Sequence, residues 1–288
     1  MNLTRRFLLS GLACLPLAPA VAAERDWSTE LARLEAGVGG RLGVAVRDTG
    51  TGRELLHRAS ERFPLCSTGK LLACAALLER VDRGQEGLDR RVRFGADAVV
   101  EYSPLTKPQA GGEGMTLDAL CHAAMTVSDN TAMNLMLAEL GGPAAATAFV
   151  RATGDALTQL DRTEPDLNEA VPGDPRDTTT PAAMVAHLQN LVLGAHLGDA
   201  SRKRLTDWLV GNTTGDTRLR AGVPRDWRVG DKTGSGARGT TNDVAVFWPP
   251  GRAPLVAAVY LTETSASPDA RNAVLASAAK IAVAWASA

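Results

Sequence analysis

Ser67 and Lys70 stand three residues apart in the stretch Phe63-Pro64-Leu65-Cys66-Ser67-Thr68-Gly69-Lys70. The run that follows, Leu71 to Leu78, is apolar on every face, and a helix without a polar side is a buried helix. Pro64 disfavours helix just before it, so the helix is expected to begin near Ser67. Residues three apart share a helix face, which brings the Lys70 amine within reach of the Ser67 hydroxyl. The unpaired N–H groups and the macrodipole at a helix start favour negative charge. The stretch thus offers a nucleophile beside a possible base, in a field that would stabilise an oxyanion. With 12 Ser and 5 Lys in the chain, about 0.2 Ser-x-x-Lys pairs arise by chance, and an N-cap serine with an exposed lysine has the same letters.

Two further stretches carry candidate chemistry. Ser128-Asp129-Asn130 precedes the apolar helix Ala132 to Leu140; its chance expectation is on the order of 0.01, although all three residue types also cap helices. Lys232-Thr233-Gly234 lies on a strand that runs on to Ser235-Gly236, where an edge-strand lysine and a glycine bulge would look alike. Each reads as ordinary structure alone; the three in this order do not.

The elements that must position them follow from periodicity. An amphipathic helix is expected over 28–38, with Ser28 as its N-cap and Gly39-Gly40 ending it. Leu42 to Val46 and Glu54 to His57 read as strands joined by the turn Asp48-Thr49-Gly50-Thr51-Gly52. Helices are expected near 67–83, 117–124, 130–140, 144–153, 180–193 and 199–209. Strands return over 228–234, 241–248 and 255–261, and a helix over 268–285 closes the chain. The fold class is therefore mixed α/β. An antiparallel sheet flanked by helices is built from both chain ends (about 24–62 and 212–288), with an all-helical subdomain inserted (about 63–211) and a site in the cleft between them.

Composition narrows the function. A formal net charge of −1 and ordinary hydrophobic content point to no nucleic-acid or membrane-surface partner. Residues 1–23 read as a cleaved signal peptide. Arg5-Arg6 precede an apolar run to Val21, and Ala20 and Ala22 offer a small-residue cleavage site. Thr4-Arg5-Arg6-Phe7-Leu8-Leu9 also fits a twin-arginine signal, whereas Gly11 spoils a lipoprotein reading of Cys14. The expected product, residues 24–288, is an exported, periplasmic or secreted single domain with no membrane attachment. Export permits disulfides, but Cys66, Cys74 and Cys121 are an odd number, so one thiol stays free. His57, His122, His187 and His196 form no metal-ligand cluster, so no metal is expected.

With its three motifs in order, the sequence resembles the class A serine β-lactamases, which share the S-x-x-K, S-D-N and K-T-G set with penicillin-binding proteins. A fourth element separates the two groups: Glu164-Pro165-Asp166-Leu167-Asn168 is similar to the E-x-x-L-N motif of the class A Ω-loop. The flanks Leu160-Asp161-Arg162-Thr163 and Pro175-Arg176-Asp177-Thr178-Thr179 also match, and the resemblance spans about residues 28–288. It implies a monomeric enzyme without cofactor that acts on small-molecule β-lactams. Ser67 is then the nucleophile, with an oxyanion hole of the Ser67 and Ser235 N–H groups. Lys70, or Glu164 through a water, activates Ser67, and Glu164 is the base for deacylation. Asn168 holds the hydrolytic water, and Ser128 passes a proton to the leaving nitrogen beside Lys232. Lys232, Thr233 and Ser235 bind the substrate carboxylate, Gly234 between them is substrate-binding, Asn130 binds the acylamide, and Tyr102 lines the cleft mouth. Arg218, with Thr214 nearby, takes the place of the arginine absent from Gly239-Thr240-Thr241-Asn242. Arg162 and Asp177 clasp the Ω-loop, and Cys74 and Cys121 form the disulfide found in many members.

Three departures accompany the resemblance. Cys66 matches a cysteine that pairs, in carbapenem-hydrolysing members, with one after K-T-G; Gly236 stands there, so Cys66 is expected to be free. Gly69 replaces a common phenylalanine, which predicts a looser helix start. Ser235 and the missing arginine lean toward cephalosporin as well as penicillin turnover. A penicillin-binding D-alanyl-D-alanine peptidase, or a non-catalytic β-lactam sensor, shares the first three motifs but not Glu164-Asn168.

Overall fold

The computed structural model describes residues 26–288; the signal-peptide reading lies outside them. The first helix, α1 (Trp27–Val38), starts one residue earlier than expected, and its cap lies two residues earlier, at Asp26 and not Ser28: the Asp26 carboxylate accepts from the Ser28 and Thr29 N–H groups. Five strands follow the expected order: β1 (Arg41–Asp48), β2 (Glu54–His57), β3 (Arg228–Ser235), β4 (Thr241–Trp248) and β5 (Leu255–Thr262). They form one antiparallel sheet in the order β2-β1-β5-β4-β3, so the two chain ends meet in it.

Every residue of β5 is buried, which means that both faces of the sheet are covered. Leu255, Ala257, Val259 and Leu261 face one cluster, with Leu31 of α1 and Leu275, Ala278, Ala282 and Trp285 of the last helix, α8 (Pro268–Ser287). Val256, Ala258 and Tyr260 face the other, which contains the helical half. That half holds α2 (Gly69–Asp82), α3 (Leu117–Thr126), α4 (Asn130–Leu140), α5 (Pro143–Ala152), α6 (Pro181–Leu188) and α7 (Asp199–Val210). The helix expected over 180–193 changes character, its last turns from Gln189 to Leu193 being wider π turns. Among the described residues no helix is long and apolar enough to cross a membrane.

Every residue from Gly69 to Leu78 is buried, so α2 is the axis of the helical half. Ser67 does not open this helix directly; it sits in a 3₁₀ turn, Cys66–Thr68, that feeds it. The looser start expected at Gly69 is corrected: Gly69 is helical (φ −61°), and a side-chain carbon placed there would stand 3.4 Å from Leu160 Cδ2, so Leu160 occupies the space a larger residue would take. The expected Cys74–Cys121 disulfide is also corrected. Both residues are buried free thiols. Cys74 Sγ is turned toward the Cys121 carbonyl at 3.9 Å and Met136 Sδ at 3.6 Å, a packing contact and not a bond. The adjacent Cys74 thiol, followed by burial, pushes the Cys121 thiol well above the ordinary cysteine range. Cys66 is free as expected, with its sulfur 2.7 Å from where a Cβ on Gly236 would lie.

Candidate active site

The 3₁₀ turn supplies Ser67 and the first turn of α2 supplies Lys70. The turn between α3 and α4 supplies Ser128 and Asn130, the loop from Leu160 to Asp177 supplies Glu164 and Asn168, and β3 supplies Lys232 to Ser235. Ser67, Ser128, Asn130, Asn168 and Thr233 to Ser235 line a cleft of about 360 Å³, with Tyr102 at its mouth and Thr214 and Arg218 beside β3; Lys70, Glu164 and Lys232 are buried and meet it through their contacts with Ser67 and Ser128.

Lys70 is the hub. Its Nζ lies 2.6 Å from Ser67 Oγ, 2.6 Å from Glu164 Oε1, 2.7 Å from Asn130 Oδ1 and 3.5 Å from Ser128 Oγ. The Lys70 and Glu164 side chains are both fully buried. Burial pushes the Lys70 amine below its ordinary value, and the Glu164 carboxylate opposes that push. Glu164 Oε1 is itself 3.4 Å from Ser67 Oγ. Across the cleft, Lys232 Nζ donates to Ser128 Oγ at 3.0 Å and to its neighbour's carbonyl, Thr233 O, at 2.9 Å. Burial, then the charge of Lys70, lowers Lys232 to about 7. Ser128 is thus placed between two buried amines.

Strained backbone aims several of these groups. Cys66 (φ 46°), Tyr102 (φ 58°) and Ser128 (φ 61°) all adopt the left-handed region that residues with side chains avoid. Asp129 holds one of these turns: its carboxylate accepts from the Leu105 and Thr106 N–H groups, the Thr106 hydroxyl and the Ala132 N–H. Asn130 holds the next, its N–H on Tyr102 O and its Nδ2 on Glu101 O, both at 3.0 Å. Nothing in these residue types announces the strain; the surrounding hydrogen bonds impose it.

The loop that carries Glu164 is closed at its neck. Asp177 Oδ2 accepts from Arg162 Nε at 2.6 Å, and Oδ1 from the Asp161 and Arg162 N–H groups. Glu164 is then gripped from α4: Asn134 accepts from its N–H and donates to its carbonyl, each at 2.8 Å. The Glu164-Pro165 bond is cis. Asn168 Nδ2 donates to Glu164 Oε2, while Asn168 Oδ1 is buried without a partner among the described residues. Arg218 reaches β3, donating to Ser235 Oγ at 2.7 Å and to Gly234 O at 2.8 Å.

Of the residues expected at the site, Ser67, Tyr102, Ser128, Asn130, Asn168, Thr214, Arg218 and Thr233 to Ser235 line the cleft, and Lys70, Glu164 and Lys232 are buried against Ser67 and Ser128, whereas Cys74 and Cys121 lie in the helical core. Asn134 and Asn272 went unread in the sequence. Asn272 accepts from Arg218 Nε at 3.1 Å. Each is a single polar residue on a helix or turn, and only its partner's position in space gives it meaning. Among the described residues no group of His, Cys, Asp and Glu could hold a metal ion.

Residues 26–286 match the Beta-lactamase enzyme family. The chain is 50% identical over 281 residues to Beta-lactamase CTX-M-8 of Citrobacter amalonaticus, covering 96% of each chain. It is 51% identical over 274 residues to Beta-lactamase AST-1 of Nocardia asteroides, covering 95% of this chain and 88% of the relative. Among solved structures, an ancestral class A β-lactamase is 61% identical with a TM-score of 0.89, covering 90% of this chain and all of the other. A putative class A β-lactamase, PenP from Rhodopseudomonas palustris, is 56% identical with a TM-score of 0.88, covering 90% of this chain and 99% of that one.

Proposed function

Because the chain belongs to the class A serine β-lactamase family, we propose that it opens β-lactam amides through an acyl-enzyme on Ser67 and frees the acyl group with water activated by Glu164. The observation that carries this reading is the placement of one buried carboxylate, Glu164, within reach of both Ser67 and Lys70 on a clasped loop. A peptidase or a β-lactam sensor would need no base there; an enzyme that must release its own acyl group does.

In acylation, Ser67 Oγ attacks the lactam carbonyl and loses its proton. Lys70 Nζ faces three acceptors within 2.7 Å, which fits an ammonium at rest. The receiver of the proton is then the Lys70–Glu164 pair as a unit. The N–H groups of Ser67 and Ser235 take the oxyanion. When the C–N bond breaks, Ser128 protonates the nitrogen and is resupplied from the amines on either side of it. Lys232, Thr233, Ser235 and Arg218 hold the substrate carboxylate, and Asn130 the acylamide. In deacylation a water between Glu164 and Asn168 gives its proton to Glu164 and its oxygen to the acyl carbon; as the ester C–O bond breaks, Ser67 Oγ takes a proton from Lys70, which Glu164 resupplies. The unpartnered Asn168 Oδ1 supports that position for the water. The enzyme confers β-lactam resistance, and in this reading it works as an exported monomer on penicillins and cephalosporins.

Intact-mass measurement after mixing with benzylpenicillin tests the scheme. Glu164→Ala should acquire a long-lived adduct and Ser67→Ala none. An adduct on Ser67→Ala would move the nucleophile elsewhere, and rapid return of Glu164→Ala to the free mass would move deacylation to another base.

A further inference from the structure

Behind Thr233 lies a chain of hydrogen bonds whose direction is fixed from its far end. Asn212 is buried, 4% exposed, and its Nδ2 donates to Asp231 Oδ2 at 2.5 Å. Its Oδ1 accepts from the Thr214 N–H at 3.1 Å and from Thr214 Oγ1 at 2.8 Å. The amide has only one workable orientation. Reversed, its NH₂ would face the Thr214 N–H, and its oxygen would face a carboxylate that Arg220 Nε also engages. The neighbouring Asp243 carboxyl is pushed well above the carboxylate range by burial and then by Asp231, and burial raises Asp231 as well.

A hydroxyl has one hydrogen, and Thr214 spends its own on Asn212 Oδ1. Thr214 Oγ1 is nevertheless 2.5 Å from Thr233 Oγ1. The hydrogen in that contact must come from Thr233. We propose that Asn212, acting through Thr214, is a positioning residue that keeps the Thr233 hydroxyl turned away from the cleft, so that capture of the substrate carboxylate must first break a Thr233–Thr214 hydrogen bond. The idea rests on the reading that Thr233 binds that carboxylate. Its neighbour Ser235 is arranged the other way: Ser235 Oγ accepts from Arg218 Nη2, leaving its hydrogen for the cleft. The site therefore contains one hydroxyl armed to donate and one held back, and the second weakens the hold on substrate and on the product acid alike.

The test is binding to the acylation-blocked Ser67→Ala enzyme, using benzylpenicillin and its methyl ester, which differ only in the ring carboxylate. Thr214→Val removes the acceptor that captures the Thr233 hydrogen. Asn212→Ala frees the Thr214 hydrogen to be donated to Thr233, while Arg220 still holds Asp231. Both substitutions should tighten binding of the acid by about 3- to 10-fold, the worth of one recovered hydrogen bond, and leave the ester unmoved. Weaker binding of the acid, no change, or equal shifts for acid and ester would each overturn the proposal. Thr233→Val separates the underlying reading: it should weaken the acid alone, and if acid binding is unaffected, Thr233 is not a carboxylate ligand and the proposal falls with it.

Discussion

At the scale of single residues, the two buried lysines differ in what opposes their burial. Lys70 has a carboxylate at 2.6 Å, while Lys232 bonds to a carbonyl and a hydroxyl oxygen at 2.9 and 3.0 Å, with the charges of Asp231 and Asp243 opposing its burial without a direct bond. Lys232 accordingly falls to about 7 from 10.5. An unfolded lysine keeps its proton up to 10.5, so between the two values the unfolded chain binds more protons, and this group makes folding more favourable as pH rises. Substrate capture runs the opposite way, because a neutral amine attracts a carboxylate poorly. For benzylpenicillin, kcat/KM should fall about fivefold from pH 7 to pH 8, while its methyl ester shows no such limb. Lys232→Arg, which cannot lose its proton, should abolish the limb; a limb that survives this change would assign it to another group. The side chains proposed here as catalytic were legible in the sequence because acyl transfer restricts both their types and their spacing. Asn212 and Asn134 were not, since an asparagine that bonds to one backbone amide or one buried acid has no sequence signature.

At the scale of elements, the loop from Leu160 to Asp177 is short of regular structure and must be held by side chains. Its only helical piece is the 3₁₀ turn Asp166–Asn168. Asp177 adopts φ 53° and is buried, with its carboxylate divided between Arg162 and two N–H groups. The pairing of Arg162 with Asp177 could be read from the sequence through resemblance; the grip of Asn134 on Glu164, which ties the loop to α4, could not. Asp177→Asn keeps the shape and removes the charge, so Arg162 loses its buried partner. We expect a loss of about 3 kcal/mol in urea denaturation. Because the neck positions Glu164, deacylation should slow more than acylation, which quenched-flow measurement of the acyl-enzyme fraction will show as a higher steady-state level. An unchanged fraction would mean that Asn134 alone suffices to place Glu164. The helix ends show the same division: Pro64 placed the start of the α2 region correctly, but the 3₁₀ turn that presents Ser67 depends on contacts from the sheet.

At the scale of the whole molecule, those contacts are where its two halves become one machine. The strands drawn from both chain ends were visible as periodic segments; their register, which sets Asn242 opposite Gly234, was not. Asn242 is wholly buried on β4, and its Nδ2 donates to Pro64 O at 2.8 Å and Leu65 O at 3.2 Å, the carbonyls just ahead of the nucleophile. Tyr260 of β5 adds a hydroxyl contact at 3.1 Å to Thr68 Oγ1, which in turn donates to Leu65 O. The turn bearing Ser67 is therefore hung on the sheet, although its chain continues into the helical half. Strain at Cys66 is affordable only because the sheet side fixes the carbonyls before it. Asn242→Ala leaves a buried carbonyl without its donor, and should cost about 1–3 kcal/mol. Its functional effect should separate from the loss at the Ω-loop neck: the Ser67 turn relaxes, so acylation slows while the deacylation rate of any acyl-enzyme formed stays near that of the parent. Stopped-flow acylation compared with adduct decay measures the two. If both rates drop together, the sheet supports the cleft as a whole and not the nucleophile's turn in particular.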